Sequence, residues 1–231
     1  MTVSELGKGV FDLARERLER SSLAFGVVIS VVGVTVVSAL ERRSDPSWAS
    51  DHALSGAVFG IALPLLALAV VRRLCDEQRL DAAVDVFARH GANRRRAVLY
   101  LLASATAVLA LAGLLLVVAA LAVTHPSRSN GFWADTATSS WIMLLAAWAY
   151  AACLAVGSSF GKRGGGRFWF LGLDWVLGSG SAFAAVPWPR GHIRNLLGAE
   201  PVLDWSQGTA LACLLVLAVT ATLVAALRLP P

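Results

Sequence analysis

Residues 76–96 read DEQRLDAAVDVFARHGANRRR, a charged stretch set between two long apolar runs. Arg72 and Arg73 come just before it, and a second apolar run begins at Ala97, directly after it. The stretch is too short to be a domain, but residues 76–89 can form about four helical turns. The sequence on either side of it therefore decides the kind of fold to which it belongs.

The first part of this stretch has the pattern of an amphipathic helix, which we predict over residues 76–90. Its apolar residues recur at the spacing of one helical face: Leu80, Ala83, Val84 and Phe87. Acidic residues lie mostly at its start and basic residues at its end, as the helix dipole favours, and Gly91 is suited to end it in a left-handed cap. Two interpretations stay open. The helix either docks a cytosolic partner, with Phe87 as an apolar knob, or is a solvated connector whose stripe lies on lipid or on neighbouring spans.

The composition around this helix is that of a membrane protein. Of the 231 residues, 57% are hydrophobic and 15% are charged, whereas about a quarter of the residues of a typical soluble domain are charged. A membrane-spanning helix needs about 20 mostly apolar residues. Six runs fit this description: 23–40, 54–71, 97–123, 140–160, 168–186 and 207–227. The sequence therefore predicts an all-α integral membrane protein, with residues 23–231 as a single six-span domain.

The distribution of Lys and Arg predicts the orientation of the chain. If the N-terminus lies in the cytoplasm, 15 of the 20 basic residues fall in cytoplasmic segments, as the positive-inside rule requires. The same bias accounts for the net charge of +5, because basic residues at membrane edges meet anionic headgroups. We therefore expect both termini in the cytoplasm, membrane lipids as neighbours and no nucleic-acid partner.

The first 22 residues have the pattern of a second amphipathic helix. Apolar residues recur at helical spacing from Val3 to Leu18, and charged residues occupy the other face. Such a helix lies in the plane of the headgroups or packs on neighbouring spans. In either position it forms a cytoplasmic elbow that leads into the first span.

Asp174 is the one carboxylate that falls well inside a predicted span. A charged side chain in the middle of a membrane costs about 2.5–3.5 kcal/mol on insertion scales, so it should face protein or water. It is either a polar contact on a substrate path or a hydrogen-bonding group that holds a neighbouring helix. Gly178-Ser-Gly-Ser181 follows it and permits close helix approach or local unwinding.

The external segment, residues 187–206, connects the last two predicted spans. Its prolines end the fifth span, and its tryptophans, Trp188 and Trp205, suit a membrane–water interface. The segment allows two interpretations, a small lid or partly re-entrant hairpin and a plain interfacial loop. The second needs no special contacts within the membrane.

Motifs of enzymes and of metal sites do not occur in the sequence. Residues 161–167 (GKRGGGR) are glycine-rich and basic but lack the GxxxxGK[ST] pattern of a nucleotide-binding loop. The four histidines are scattered, and the three cysteines form neither a CxxC motif nor a Cys/His cluster. We therefore expect no enzyme activity, no metal site and no cofactor in this chain.

The order of these parts resembles the ABC-2 type of ABC transporter permease over most of the chain. The local phrase that carries the resemblance is Asp76-Glu-Gln-Arg79 followed by Phe87-Ala-Arg-His-Gly-Ala-Asn-Arg-Arg-Arg96. Similar phrases occur in lipopolysaccharide-export permeases and in the permease-like cell-division protein. Those relatives carry large extracytoplasmic domains, and the outer loops here are too short to form one.

The resemblance implies that residues 76–90 form a coupling helix, which docks on a separate cytosolic ATPase subunit that binds ATP and Mg. The matching positions are Asp76, Glu77, Arg79, Leu80, Val84, Phe87, Arg89 and Gly91. It further implies a bacterial-type inner membrane, a dimer with a second copy or a homologous permease, and outward movement of an unidentified substrate. The alternative is a non-transporting scaffold that recruits a cytosolic partner through the 76–90 helix.

Overall fold

The structure, a computed structural model, describes residues 3–19, 22–125 and 131–229, and within these ranges all regular secondary structure is helical. Arg20 and Arg128, which the charge count includes, lie outside them. The helices are α1 (Val3–Glu19), α2 (Leu23–Ser44), α3 (Ala49–His52), a π-helical segment (Ala53–Ala62), α4 (Leu63–Leu74), α5 (Leu80–Arg89), α6 (Arg94–Thr124), α7 (Phe132–Ser158), α8 (Gly166–Leu177), α9 (Pro189–Leu196) and α10 (Gln207–Leu227).

Five helices of the described chain are long and apolar enough to cross a membrane. They are α2, the continuous run Ala49–Leu74, α6, α7 and α10. The chain thus has the build of a multi-pass membrane protein, as its composition predicts.

The predicted span over residues 168–186 differs from the structure. There α8 ends at Leu177, a bend follows, and a short 3-10 turn (Phe183–Ala185) precedes α9. Twelve helical residues cover about 18 Å, whereas the apolar core of a bilayer is about 30 Å thick. Residues 178–181 are Gly-Ser-Gly-Ser, and because glycine disfavours helix and serine competes for backbone hydrogen bonds, the helix stops where this run begins.

The core of the bundle is formed by α6, α7 and α10. Helix α7 packs along both α6 and α10, and many of its residues are fully buried alanines that let the helices approach closely. Helix α2 lies at the edge, in contact with α6 and the π-helical segment. Most of its large side chains are exposed, Phe25 to 66% and Val28 to 58%, as suits a face that meets lipid or another protein.

The two ends of the bundle differ. One end, called the α5 end here, carries α1, α5 and the last turn of α10. Helix α1 packs on α6 and α4 with Leu6, Val10 and Ala14 buried, while Phe11 on its other side is 61% exposed. The apolar stripe of α1 therefore lies on neighbouring helices, which is the second of the two positions expected for the N-terminal amphipathic helix.

The middle of the second span is π-helical rather than α-helical. The π-helical segment ends just before Pro64, which occupies the first turn of α4. Proline has no N–H and cannot continue the α-helical hydrogen-bond ladder. Short π-helical segments within α-helices occur often at functional positions. The span therefore carries an irregular, buried backbone at the level of Gly60, which matters for the site described next.

Candidate functional site

Helix α8 faces the bundle with three buried side chains: Arg167, Leu171 and Asp174. They are spaced i, i+4 and i+7, which places them on one helical face. The opposite face is exposed, with Trp169 at 75% and Val176 at 74%. Two of the three buried side chains are ionisable, so polar contacts as well as the apolar contacts of Leu171, Phe170 and Trp175 attach α8 to the bundle.

Asp174, 2% exposed, lies where α7, α8 and α9 meet. Its Oδ2 accepts a hydrogen bond of 2.9 Å from the hydroxyl of Tyr150 on α7. Its Oδ1 accepts one of 3.0 Å from the backbone N–H of Arg190, in the first turn of α9. A carboxylate at a helix N-terminus satisfies an otherwise unpaired N–H and is favoured by the helix dipole. Asp174 thus caps α9 from a different helix.

Arg190 extends this contact to the second span. Its Nη1 donates a hydrogen bond of 2.6 Å to the backbone carbonyl of Gly60. That carbonyl lies four residues before Pro64, and since proline has no N–H, it lacks the usual α-helical donor. The Arg190 guanidinium supplies a donor there. Asp174 and Arg190 together join α7, α8, α9 and the π-helical segment inside the bundle.

Arg167 is among the largest side chains that are fully buried in the described residues, with 1% exposure. Its Nε donates to the carbonyl of Gly164 at 2.8 Å, and its Nη2 donates to the carbonyls of Gln78 at 2.9 Å and Arg163 at 2.6 Å. Gly157 on α7 makes room for it, because a Cβ at this position would lie 2.8 Å from the Arg167 Cα. Arg167 therefore ties the start of α8 to the segment that leads into α5.

Helix α5 begins at Leu80, so Asp76 and Glu77 lie before it rather than in its first turn. Both have left-handed backbone conformations, with φ of 50° and 57°, which is uncommon for residues other than glycine. Glu77 forms ion pairs of 3.1 Å with both Arg72 and Arg73. These pairs hold the sharp turn between α4 and α5. At the other end of α5, Gly91 has φ +76°, as its predicted left-handed cap requires.

The apolar stripe of α5 faces its own bundle. Leu80 and Val84 are fully buried, and Phe87 is 7% exposed. Phe87 is thus packed in the core. The docking interpretation of the sequence expected it to project outward as a knob, and this expectation is wrong. The reason is that the stripe covers the adjacent helices at the α5 end. The outward face instead presents Val86, 47% exposed, among charged residues.

Asp85 fixes the corner between α5 and α6. Its carboxylate pairs with Arg94 at 2.7 Å and with Arg89 at 3.1 Å. Hydrogen bonds from Arg94 and then Arg89 hold the pKa of this carboxyl below its usual value. Asp81, Ala82, Asp85 and Arg94 border a hollow of about 260 Å³ next to Val86. Charged walls beside an exposed valine are features of a contact surface.

Sequence reasoning found Asp174 but missed most of its partners. Arg190 was counted among the residues outside the membrane, yet its side chain reaches into the bundle. Tyr150 and Gly60 stand in apolar runs with no local signal. Arg167 looked like one more basic residue at a membrane edge. The proline at position 64 was the one available indication that a carbonyl in this span needs another donor.

The described residues contain no group of three or more His, Cys, Asp or Glu side chains that could hold a metal ion. Comparisons with protein-family models, with curated proteins and with solved structures gave no match to this chain. The class is defined by the build of the molecule, a helical membrane protein with a short amphipathic helix at one end and hydrogen-bonded polar side chains within the bundle.

Proposed function

We propose that this chain is the membrane-spanning permease subunit of an ATP-driven exporter of the ABC-2 type, with a separate cytosolic ATPase that docks on α5. The observation that carries the proposal is the placement of α5. Its apolar face is anchored in the bundle and its turn is held by ion pairs, while a mixed valine and charged face points outward. A helix that is held in this way can receive a force from a partner and pass it to the spans.

The α5 end is assigned to the cytoplasm by its charge. Arg72, Arg73, Arg94, Arg95 and Arg96 all lie at this end, close to α5. The positive-inside rule places such a cluster on the cytoplasmic side, where ATP is available. The proposed docking surface is therefore Asp81, Ala82, Asp85, Val86 and Arg89, with Asp76, Glu77 and Arg79 in the turn before it. Leu80, Val84 and Phe87 support this surface from below.

Helix α8 is too short to cross the membrane, and this favours a transport role over a scaffold role. Beyond Leu177 the crossing depends on the bend and 3-10 turn of residues 178–188, in which Ser179, Gly180 and Phe183 are exposed. Irregular backbone at membrane depth is tolerated where protein covers it or where it lines a water-filled cavity. A second copy with a water-filled path between the two copies meets this requirement. A scaffold has no use for a water-filled path.

The docking surface can be tested with Val86→Asp. The chain is co-expressed with the P-loop ATPase that we expect an adjacent gene to encode, and the two are captured together in mild detergent. Because Val86 is an exposed apolar residue of the outward face, we expect Val86→Asp to lower capture about tenfold or more, as for an interface residue that is desolvated on binding. Leu203→Asp is the matched control, since Leu203 is exposed to a similar degree, 39% against 47%, and lies far along the chain from α5.

Two results would contradict the proposal. One is recovery of the wild-type chain without any P-loop ATPase under these conditions, and the other is equal capture by Val86→Asp and Leu203→Asp. An ATPase that binds but hydrolyses ATP at the same rate with and without the chain would favour the scaffold instead.

A further inference from the structure

Helix α8 is attached to backbone groups at both of its ends. Near its start, the Arg167 guanidinium holds the carbonyl of Gln78, in the turn before α5. Seven residues later, the Asp174 carboxylate holds the N–H of Arg190, at the start of α9. Because both acceptor and donor belong to the main chain, a displacement of either segment is transmitted whatever the rotamers of its side chains.

The lower attachment point is the short turn between α4 and α5. Asp76 and Glu77 reverse the chain in left-handed conformations, and the N–H of Gln78 bonds back to the carbonyl of Cys75. No regular helix of the described chain includes residues 76–79. A force on the outward face of α5 therefore reaches Gln78, and through it Arg167, in addition to its direct route to α6 through Asp85 and Arg94.

The upper attachment point leads to the second span. Arg190 is bound to Asp174 by its N–H and to the carbonyl of Gly60 by its Nη1. Gly60 lies in the π-helical segment, whose backbone is already irregular. A shift at the start of α9 therefore displaces the backbone in the middle of the second span, Ala49–Leu74, which ends at the turn before α5.

We propose that α8 is a rigid link between the turn before α5 and the start of α9, with Arg167 and Asp174 as the positioning residues at its two ends. The two residues lie on one face, about 10 Å apart along the axis. Leu171 is the one other fully buried residue of α8, with Phe170 and Trp175 packed beside it on the core, so the two polar contacts fix the ends of an otherwise apolar attachment. The inference deepens the proposed function by naming what moves when α5 is pushed, but the link itself exists without an ATPase.

Hydrogen exchange of the full chain in lipid nanodiscs, without any ATPase, tests the link. Arg167→Met removes the lower contact, and we expect exchange to rise about threefold or more at residues 189–196 as well as at residues 76–79. Asp174→Val removes the upper contact, and exchange should rise in turn at residues 76–79. Coupling between two sites is reciprocal, so a link requires both distant effects.

Arg89→Met is the control, since Arg89 is a mostly exposed arginine at the same end of the bundle and its loss should act within α5 alone. Arg167→Lys is a second variant that keeps the charge but cannot reach three carbonyls as a planar guanidinium does, and its effect should have the same sign. If both Arg167 variants raise exchange around residues 76–79 and 163–167 while residues 189–196 stay unchanged, α8 is not a link. That result would leave the docking of an ATPase on α5 untouched, whereas loss of docking would leave the exchange result untouched.

Discussion

Arg167 shows how a single residue sets the position of a helix. A buried guanidinium is costly unless its donors are satisfied, and here Nε and Nη2 meet three carbonyls of the turns before α5 and α8 while Nη1 has no hydrogen-bond partner among the described residues. These carbonyls are available because the loops are held in fixed, partly left-handed conformations. The side chain and the loops therefore stabilise each other, and neither arrangement is visible from the basic character of the sequence alone.

Close packing at Gly157 gives a prediction at the residue scale. In Gly157→Ala, the new Cβ would lie 2.8 Å from the Arg167 Cα and 3.0 Å from its backbone nitrogen, so α8 must move away from α7. We expect a loss of about 1–3 kcal/mol of stability, as for other overpacked sites, measured as a lower midpoint of thermal unfolding in detergent.

Gly172→Ala is the control for this prediction. A Cβ at Gly172 on α8 meets nothing within 4 Å, and alanine favours helix over glycine by about 1 kcal/mol. This variant should unfold at the same temperature as the wild type or slightly above it. Equal destabilisation by the two variants would show that the α7–α8 contact is not as tight as described.

At the scale of elements, the sequence predicts the long helices well and the short ones less well. The apolar spans through α2, α6, α7 and α10 follow from hydrophobic length, which is a local property of the chain. The amphipathic pattern of α5 was also correct, but a pattern shows that a helix has an apolar face without showing what covers it. The direction in which Phe87 points depends on tertiary packing.

The hydropathy pattern did not predict that α8 ends about halfway along the predicted span. Residues 168–186 are apolar enough for a span, and the run Gly178-Ser-Gly-Ser181 indicated flexibility without indicating an end. The run weakens the helix, and the return of the chain toward Asp174, where Arg190 donates its N–H, fixes the position of the residues that follow. Such a contact joins residues 16 positions apart and has no signature in local periodicity.

The bend after α8 yields a prediction at the element scale. If the bend lines a water-filled space, a cysteine at Ser179 will react with a membrane-impermeant thiol reagent. If residues 168–186 instead formed one continuous span, Ser179 would lie in lipid and react slowly. The experiment uses a background in which Cys75, Cys153 and Cys213 are replaced by alanine, and labelling is measured in intact membranes by mass shift.

Val219→Cys on α10 is the matched control for Ser179→Cys. Val219 is 44% exposed near the middle of a regular spanning helix, where it should face lipid and stay unlabelled. Labelling of both cysteines to the same extent would remove the distinction between the bend and a lipid-facing helix, and with it the argument for an aqueous path beside α8.

At the scale of the whole molecule, the apolar surface is uneven. Helix α7 is mostly buried against its neighbours, whereas the outward faces of α2 and α8 are largely open. The charge count predicts a cytoplasmic α5 end, and it treats Arg190 as a loop residue. Counting by position along the chain cannot detect a side chain that turns back into the bundle, since this depends on how α8 and α9 pack together.

The open face of α8 distinguishes a dimer from a monomer. A lipid-exposed regular helix is stable, but irregular backbone at membrane depth needs a protein or aqueous neighbour, and in the bend after α8 Ser179, Gly180 and Phe183 remain exposed. In the proposed permease, a second copy faces it across the path. Val176, 74% exposed near the end of α8, should then lie close to its equivalent in the other copy.

In Val176→Cys, in the cysteine-free background, oxidation in native membranes should give a product with the mass of two chains. Val216→Cys on α10, where Val216 is 61% exposed, should remain a single chain under the same conditions. Equal cross-linking of both variants would contradict an interface at α8, because a specific interface brings only one pair of faces together. Absence of cross-linking in Val176→Cys would also contradict it, because the two α8 helices would then not be close.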